Sequence, residues 1–241
     1  MYLDTKDCML TPSILCWGSW EPETAQSLDD ILRPGMNWVD VGANVGVFTI
    51  IGHRIVRDGG GATWAFEANP STYGLLVDNI NLNWFFSNVT AEQKAVYSEN
   101  TRVRFHAPRK FNVNATIGSV RDGNWDAVGD IDDVIDVDAV ALDSYFNPGQ
   151  RLDAMKIDVE GAELFALRGA RRILQENHSI KILLEWSPIQ GVVCGYQPAE
   201  LAEEIRSLGF TCKLAEQDRR SISFESLLKI HDTTMLLLER P

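Results

Sequence analysis

Apolar and polar positions along this chain fall into blocks that switch between two periods. Asn37 to Val41, Thr63 to Glu67 and Val89 to Val96 are short apolar runs bounded by turn residues, as buried parallel strands are. Val45 to Val56 and Pro70 to about Asn83 carry the longer spacing of helices, and a glycine-rich turn, Gly59 to Gly61, ends the first of them. The rhythm resumes with a strand over Leu152 to Ile157, a helix over Glu160 to Leu174 and a strand over Lys181 to Glu185. In that helix Ala162, Phe165, Ala166, Gly169, Ala170 and Ile173 make a face of mostly small residues, which predicts close packing on a sheet. Pro198 starts a last helix with a buried stripe of Leu201, Ile205 and Leu208, and Gly209 stops it. Phe210 to Leu214 and Thr233 to Leu238 are expected to close the sheet as an antiparallel pair. Such alternation predicts an α/β fold: a doubly wound, mostly parallel sheet with right-handed crossovers.

Two stretches depart from the rhythm. Met1 to Trp20 is mixed and reads as a loop or short hairpin. A helix over Glu21 to Leu32 follows, with acids in its first turn and Pro34-Gly35 as its stop. Residues 1–36 are therefore expected to pack on a main domain formed by residues 37–241. The second departure is Arg102 to Tyr145, where strand-like pieces (Val103 to His106, Val134 to Leu142) flank a Gly/Asn/Asp-rich loop from Asn112 to Asp133. Residues 102–145 read as an insertion before the fourth strand, near the substrate side; a plain edge hairpin is the alternative.

Composition narrows the function classes. The 241 residues are 45% hydrophobic and 23% charged, which suits one large α/β domain. Lys plus Arg number 22 against 34 Asp plus Glu, a formal charge of −12 that disfavours a nucleic-acid partner. No apolar run approaches the roughly 20 residues of a membrane span, and the start MYLDTKDCML lacks the basic and apolar parts of a signal peptide. The four cysteines form no C-x-x-C pair or metal-ligand spacing, so free thiols and a cytoplasmic location are expected.

In open α/β sheets, ligands bind beyond the carboxyl ends of the strands. The run VDVGANVG (Val39 to Gly46) stands at such an end: Gly42 lets a ligand approach the backbone, and Gly46 lets the next helix pack closely. A dinucleotide fingerprint would need glycines at 42, 44 and 47, where this chain has Gly42, Asn44 and Val47, and no Gly-Lys-Ser/Thr follows to make a P-loop. Glu67 ends the second strand in AFEANP, where a carboxylate can accept two hydrogen bonds from a ribose diol; an exposed strand-end acid is the alternative. MKIDVEGAE (Met155 to Glu163) places Asp158 at a strand end and Glu160 near a helix start, and LLEWSP places Glu185 at the next strand end. Adjacent strands lie about 4.8 Å apart, so these acids can converge on one cleft. Helix capping, or pairing with Lys156 and Arg168, is the alternative.

VDVGANVG, AFEANP, KIDVEGAE and LLEW occur in this order and together resemble the FkbM-type methyltransferase family. GSWEPE (Gly18 to Glu23) and VDAVALDSY (Val137 to Tyr145) look like further segments of it, so the resemblance runs from Trp17 to Glu239. It implies a class I methyltransferase (Rossmann-like) fold of about seven strands, ordered 3-2-1-4-5-7-6, with the last strand antiparallel. It also implies S-adenosylmethionine as cofactor and a small-molecule acceptor, a hydroxyl on a polyketide, sugar or other metabolite. By that resemblance Asp40, Gly42, Asn44 and Gly46 would hold the methionine part of the cofactor and Glu67, with Ala68 and Asn69 beside it, the ribose. Ala95 and Val96 would border the adenine, and Glu21 would meet the cofactor's amino end or the acceptor.

A hydroxyl nucleophile needs a base. Asp158, close to the expected methyl position, is the first candidate, followed by Glu160 and Glu185; His106 and His231 are weaker ones. The same acids suit Mg²⁺, but the metal-free arrangement is preferred. N-methylation of an amine or peptide, and a cofactor-binding module without catalysis, stay open. A nicotinamide oxidoreductase is disfavoured by Asn44 and Val47.

Overall fold

The computed structural model describes residues 1–108, 116–117, 132–215 and 219–241. Two helices, α1 (Leu10–Trp17) and α2 (Pro22–Ile31), precede β1 (Trp38–Val41). Strand–helix alternation follows through α3 (Val47–Val56), β2 (Thr63–Phe66), α4 (Pro70–Leu82) and β3 (Val89–Glu92). Next come β4 (Ala95–Val96), β5 (Thr101–Pro108), β6 (Thr116–Ile117), β7 (Asp132–Val140) and the short α5 (Leu142–Tyr145). The alternation returns with β8 (Ala154–Ile157), α6 (Glu163–Arg168), α7 (Arg171–Glu176), β9 (Lys181–Trp186), α8 (Pro188–Val193) and α9 (Pro198–Ser207). The chain closes with β10 (Thr211–Leu214), β11 (Ser221–Ile222), α10 (Phe224–Leu227) and β12 (Thr234–Glu239).

The main sheet runs β11-β10-β12-β9-β8-β1-β2-β3. From β3 to β9 all neighbours are parallel, and β12 lies antiparallel to both β9 and β10. The order is the expected 3-2-1-4-5-7-6, with β11 as an eighth strand on the edge. Every residue of β1 is buried, as the continuous apolar run requires of a central strand covered on both faces. Val41 pairs with Phe66 on one side and Ile157 on the other. That register brings Gly42, Glu67 and Asp158, the next residue of each strand, to the same edge. On one face, α2 and α3 contribute Leu28, Leu32, Phe48 and Val56 to a core with Trp38 and Leu237, and Ser27 Oγ donates to the Ala215 carbonyl at 2.9 Å. Among the described residues no helix is long and apolar enough to cross a membrane.

The structure departs from the sequence pattern in four places. Met1 to Trp20 contains a helix, α1, closed by Gly18 in a left-handed conformation (φ 73°). The single strand expected over Val89 to Val96 is two: β3 pairs with β2, while Ala95 and Val96 pair with Ala139 and Val140. The helix expected over Glu160 to Leu174 is also two. Gly169 breaks it, because the chain there passes so close to Tyr97 that a Cβ would lie 1.9 Å from the Tyr97 carbonyl oxygen. Asp143 then caps α7, accepting from the backbone N–H groups of Arg172 (2.8 Å) and Ile173 (2.9 Å). Finally, residues 102–145 form most of a second sheet, ordered β4-β7-β5-β6, with its own apolar centre of Ala95, Val103, Phe105, Ala107, Val137 and Ala139. The loop expected from Asn112 to Asp133 lies, apart from residues 116–117 and 132–133, outside the described residues.

Gly169 thus lets the turn between α6 and α7 lie directly against Tyr97, just after β4. Gly169→Ala is expected to destabilise the fold by ~2 kcal/mol, the usual scale of overpacking. A shift of the urea unfolding midpoint to lower concentration, at unchanged slope, checks this.

Candidate active site

The turn after β1 is shaped by two neighbours. Gly42 (φ 79°) lies against the end of β8: a Cβ there would sit 1.8 Å from the Asp158 carbonyl oxygen. The glycine is therefore needed by the protein itself as well as for the ligand approach expected from the sequence. Asn44 follows with φ 50°, and its side-chain oxygen accepts from Val45 N–H at 2.7 Å. Gly46 (φ 92°) precedes α3, and a Cβ there would meet Leu76 Cδ1 at 2.7 Å. It lets α4 approach rather than packing α3 on the strand, and it does not line the cleft.

Glu67 is buried, which removes the exposed-acid alternative. Its Oε2 accepts from Asn44 N–H at 2.7 Å and its Oε1 from Asn69 N–H at 2.8 Å. Burial raises its proton affinity, opposed by these amides and by Thr72. The two amides fix the plane of the carboxylate while each oxygen keeps a further lone pair for a ligand. Asn69 caps α4, accepting from Ser71 N–H at 3.0 Å, and stands behind the cleft, whereas Ala68 lines it.

Around Asp158 the charges are tightly packed. Lys156 is buried, with Nζ 2.8 Å from Asp158 Oδ2 and 5.0 Å from the centre of the Phe48 ring. Burial favours the neutral amine, but Asp158, Asp40 and Glu21 outweigh it and keep the ammonium charged beyond the ordinary lysine range. Asp40 is fully buried under the cleft rather than in it, and its Oδ2 accepts from Thr49 Oγ1 at 2.6 Å. A direct cofactor contact expected of Asp40 is thus replaced by a contact to Thr49. Lys156 pairing with Asp158 was one alternative for these acids; Arg168 instead faces Glu200 and Glu204.

Glu21, just before α2, has φ 41° and accepts from Thr24 Oγ1 at 3.1 Å. Burial, then the Asp158 charge, raises its proton affinity. Glu160 (φ 52°) accepts from Gln190 Nε2, and its proton affinity is raised well above normal by burial and then by Asp158. Glu185, on β9, is raised in the same way, and its Oε2 is buried without a hydrogen-bond partner. Oxygens of Asp158, Glu160 and Glu185 all lie within 4.8 Å of one another. Three residues here, Glu21, Asn44 and Glu160, hold left-handed backbones without being glycine, and such strain clusters at functional sites.

A cleft runs over this edge, floored by Gly42, Asn44, Glu67, Asp158 and Glu160. Ala95 and Val96 reach it from the second sheet, as does Phe105, and Trp20 and Glu21 close it from the N-terminal side. A second, open cavity shares Glu21 and is lined by Glu23, Glu185 and Thr233. Sequence reasoning missed Leu10, Trp20 and Phe105 in the cleft, since each arrives from outside the carboxyl ends of the main sheet, and it missed Lys94, which follows β3. Lys156 was visible beside Asp158 but was weighed only as its partner. His106 and His231 line neither cavity.

The loop that carries Glu160 is tied down by Glu163, whose Oε1 accepts from Val159 and Gly161 N–H, both at 3.1 Å, and whose Oε2 accepts from the Tyr196 hydroxyl at 3.2 Å. Burial, opposed by the backbone amides, pushes the Glu163 carboxyl up from 4.5 to about 7. Between those values the folded chain keeps a proton that the unfolded chain has lost, so stability falls as pH rises through that window. The expected decline from this group is roughly 3 kcal/mol, and it flattens in Glu163→Gln. Urea midpoints of both proteins at about pH 4.5 and about pH 8 check the sign.

The sequence model of the methyltransferase FkbM domain matches residues 40–212. A search of curated proteins finds no match. Among solved structures, the chain is similar to the methyltransferase FkbM of Methylobacillus flagellatus, at 16% identity and TM-score 0.53, over 89% of this chain and 50% of that one. The chain therefore spans about half the length of that protein. It is also similar to the precorrin 8W decarboxylase of Methanobacterium thermoautotrophicum (15% identity, TM-score 0.51, all of both chains). A third likeness is to a Streptococcus mutans protein described as a methyltransferase and solved with S-adenosylhomocysteine (10% identity, TM-score 0.51, 90% of this chain and 96% of that one). At these identities the structures speak for the fold, which is that of class I methyltransferases. The family match covers well over half of the sequence, and with it the chain belongs to the FkbM domain family of S-adenosylmethionine-dependent methyltransferases.

Proposed function

We propose that this chain transfers a methyl group from S-adenosylmethionine to a hydroxyl oxygen of a small metabolite. The observation that carries this reading is the placement of Glu67 and the Asp158–Glu160–Glu185 carboxylates on one sheet edge, in adjoining cavities. The cofactor fits the residues present. Glu67 offers a carboxylate, held in plane by two amides, to a ribose diol. Gly42, Asn44, Ala95, Val96 and Glu21 line the cleft, which is consistent with the first two bordering the methionine part, the next two the adenine, and Glu21 meeting the ammonium. When bound, the cofactor supplies an activated sulfonium methyl, so the protein's share of catalysis is alignment and proton removal.

Asp158 pairs with the Lys156 ammonium through its Oδ2, so Glu160 and Glu185 are the better proton acceptors. Burial and mutual repulsion make each a stronger base once ionised. The acceptor oxygen attacks the methyl carbon as its proton passes to one of these carboxylates. The carbon–sulfur bonding pair leaves with sulfur as S-adenosylhomocysteine. A small acceptor suits the acidic surface, which at −12 repels phosphate backbones.

The acid-lined second cavity favours one other acceptor, an amine, which Glu21, Glu23 and Glu185 would attract. Product analysis separates the two: a methyl ether supports the proposal, and an N-methyl product replaces it.

The cofactor half is tested by calorimetry with S-adenosylhomocysteine. One site per chain is expected, with affinity at least tenfold weaker in Glu67→Ala, since charged hydrogen bonds contribute about 1.5–3 kcal/mol each. Unchanged affinity in that variant removes Glu67 from the site. Tight binding with no methyl transfer to any hydroxyl or amine panel points instead to a cofactor-binding module without catalysis.

A further inference from the structure

We propose that Asp158, Glu160 and Glu185 form a binding site for one divalent, oxygen-preferring cation of the Mg²⁺ or Mn²⁺ class, at the carboxyl ends of β8 and β9. The role given to that ion rests on the methyl-transfer reading above; the existence of the site does not.

The first observation is geometric. The three carboxylates come from separate backbone positions: the residue after β8, the left-handed turn that follows it, and β9 itself. Their oxygens lie within 4.8 Å of one another. Two oxygens on opposite sides of one ion are about 4.2 Å apart for Mg²⁺ and about 5 Å apart for Ca²⁺. The cluster is therefore already near the span of a first coordination shell, before any side chain moves.

The second observation concerns unmet bonding capacity. Glu185 Oε2 is buried and accepts no hydrogen bond. Gln190, whose Nε2 donates to Glu160, leaves its own Oε1 buried and without a partner. Buried polar atoms are ordinarily paired, and a buried carboxylate oxygen is costly to leave bare. Both orphans are acceptors of the kind hard cations choose, a carboxylate and a carboxamide oxygen. What is missing at this place is positive charge. Lys156 meets Asp158 at 2.8 Å, but that one ammonium also answers to Asp40 and Glu21.

The position suggests the ion's role. Asp158 and Glu160 line the cofactor cleft, whereas Glu185 lines the second cavity. An ion held by all three sits at the junction of the two spaces. An acceptor hydroxyl entering from the second cavity and bound to the ion loses its proton more readily, the proton going to solvent or to a flanking carboxylate. Its oxygen then attacks the sulfonium methyl, and the bonding pair leaves with sulfur. This proposal takes up the Mg²⁺ alternative over the metal-free arrangement preferred from the sequence.

The test titrates Mn²⁺ alone into the chelator-treated full chain and follows bound ion by electron paramagnetic resonance. One Mn²⁺ per chain is expected, with a dissociation constant below about 1 mM and displacement by Mg²⁺. Glu185→Gln should weaken binding at least tenfold, whereas Glu225→Gln, an exposed acid on α10, should leave it unchanged. If Glu185→Gln fails to fold, by circular dichroism, Glu160→Gln carries the same expectation. Absence of bound Mn²⁺ at millimolar concentration, or equal binding by the folded glutamine variant, overturns the site. Calorimetry with S-adenosylhomocysteine on the same metal-free chain keeps the two proposals apart. Cofactor binding without Mn²⁺ binding overturns only the cation site. Mn²⁺ binding without cofactor binding upholds the site and overturns the methyl-transfer reading.

Discussion

The closeness of β1 and β8 at their carboxyl ends governs this molecule. Gly42 and the Asp158 carbonyl approach so nearly that no side chain fits between them. The constraint follows from register, because Val41 pairs with Ile157 and the next residue of each strand must then turn away at the same level. One turn leads through Asn44 towards Glu67, and the other through Glu160 into α6. A residue with a Cβ at position 42 would force the two turns apart. The distances among Glu67, Asp158 and Glu160 would change together, so fold and site share a single tolerance.

Electrostatics imposes a second constraint on the same edge. Buried ions are expensive unless paired, yet Glu21, Asp40, Asp158, Glu160 and Glu185 crowd around one ammonium, that of Lys156, with Glu163 behind Glu160. The fold meets part of the cost locally. Thr49 serves Asp40, two backbone amides and Tyr196 serve Glu163, and Gln190 serves Glu160. Glu185 has no such help at its Oε2. A cluster assembled from strand ends and a strained turn, and left short of positive charge, is organised for a cationic guest rather than for stability.

Much of this was legible in the sequence, and the reasons are physical. A parallel sheet buried on both faces writes continuous apolar runs, so β1, β2, β8 and β9 stood out, and the acids at their ends followed by geometry. The sheet order matched the order implied by the family resemblance. What the pattern concealed depended on distant contacts. Val89 to Val96 reads as one strand because nothing local says that Ala95 will pair with Ala139 across more than forty residues. The helix from Glu160 reads as unbroken because Gly169 yields to Tyr97, which lies far away in sequence. Trp20 and Phe105 reach the cleft from a loop and from the second sheet, where no periodicity marks a residue as site-facing. Asp40 misled in another way: its place in the motif suggested a ligand contact, but its side chain points to Thr49 beneath the cleft.

The two cavities and the carboxylates between them bear on how such a fold separates cofactor from acceptor. Glu67 and the Gly42 turn belong wholly to the first cleft, whereas Glu185 belongs to the second. Glu21 belongs to both, and its left-handed backbone at the head of α2 aims it at the boundary. Glu21 and Glu160 thus stand in strained conformations beside the same cleft, although they are far apart in the sequence. Strain of this kind persists only where surrounding packing enforces it, and here α2 is anchored by Ser27 to the Ala215 carbonyl and by Leu28 to the core. The start of α2 accordingly helps to shape the site: Glu21 lines both cavities, and Glu23 and Thr24 line the second beside Glu185.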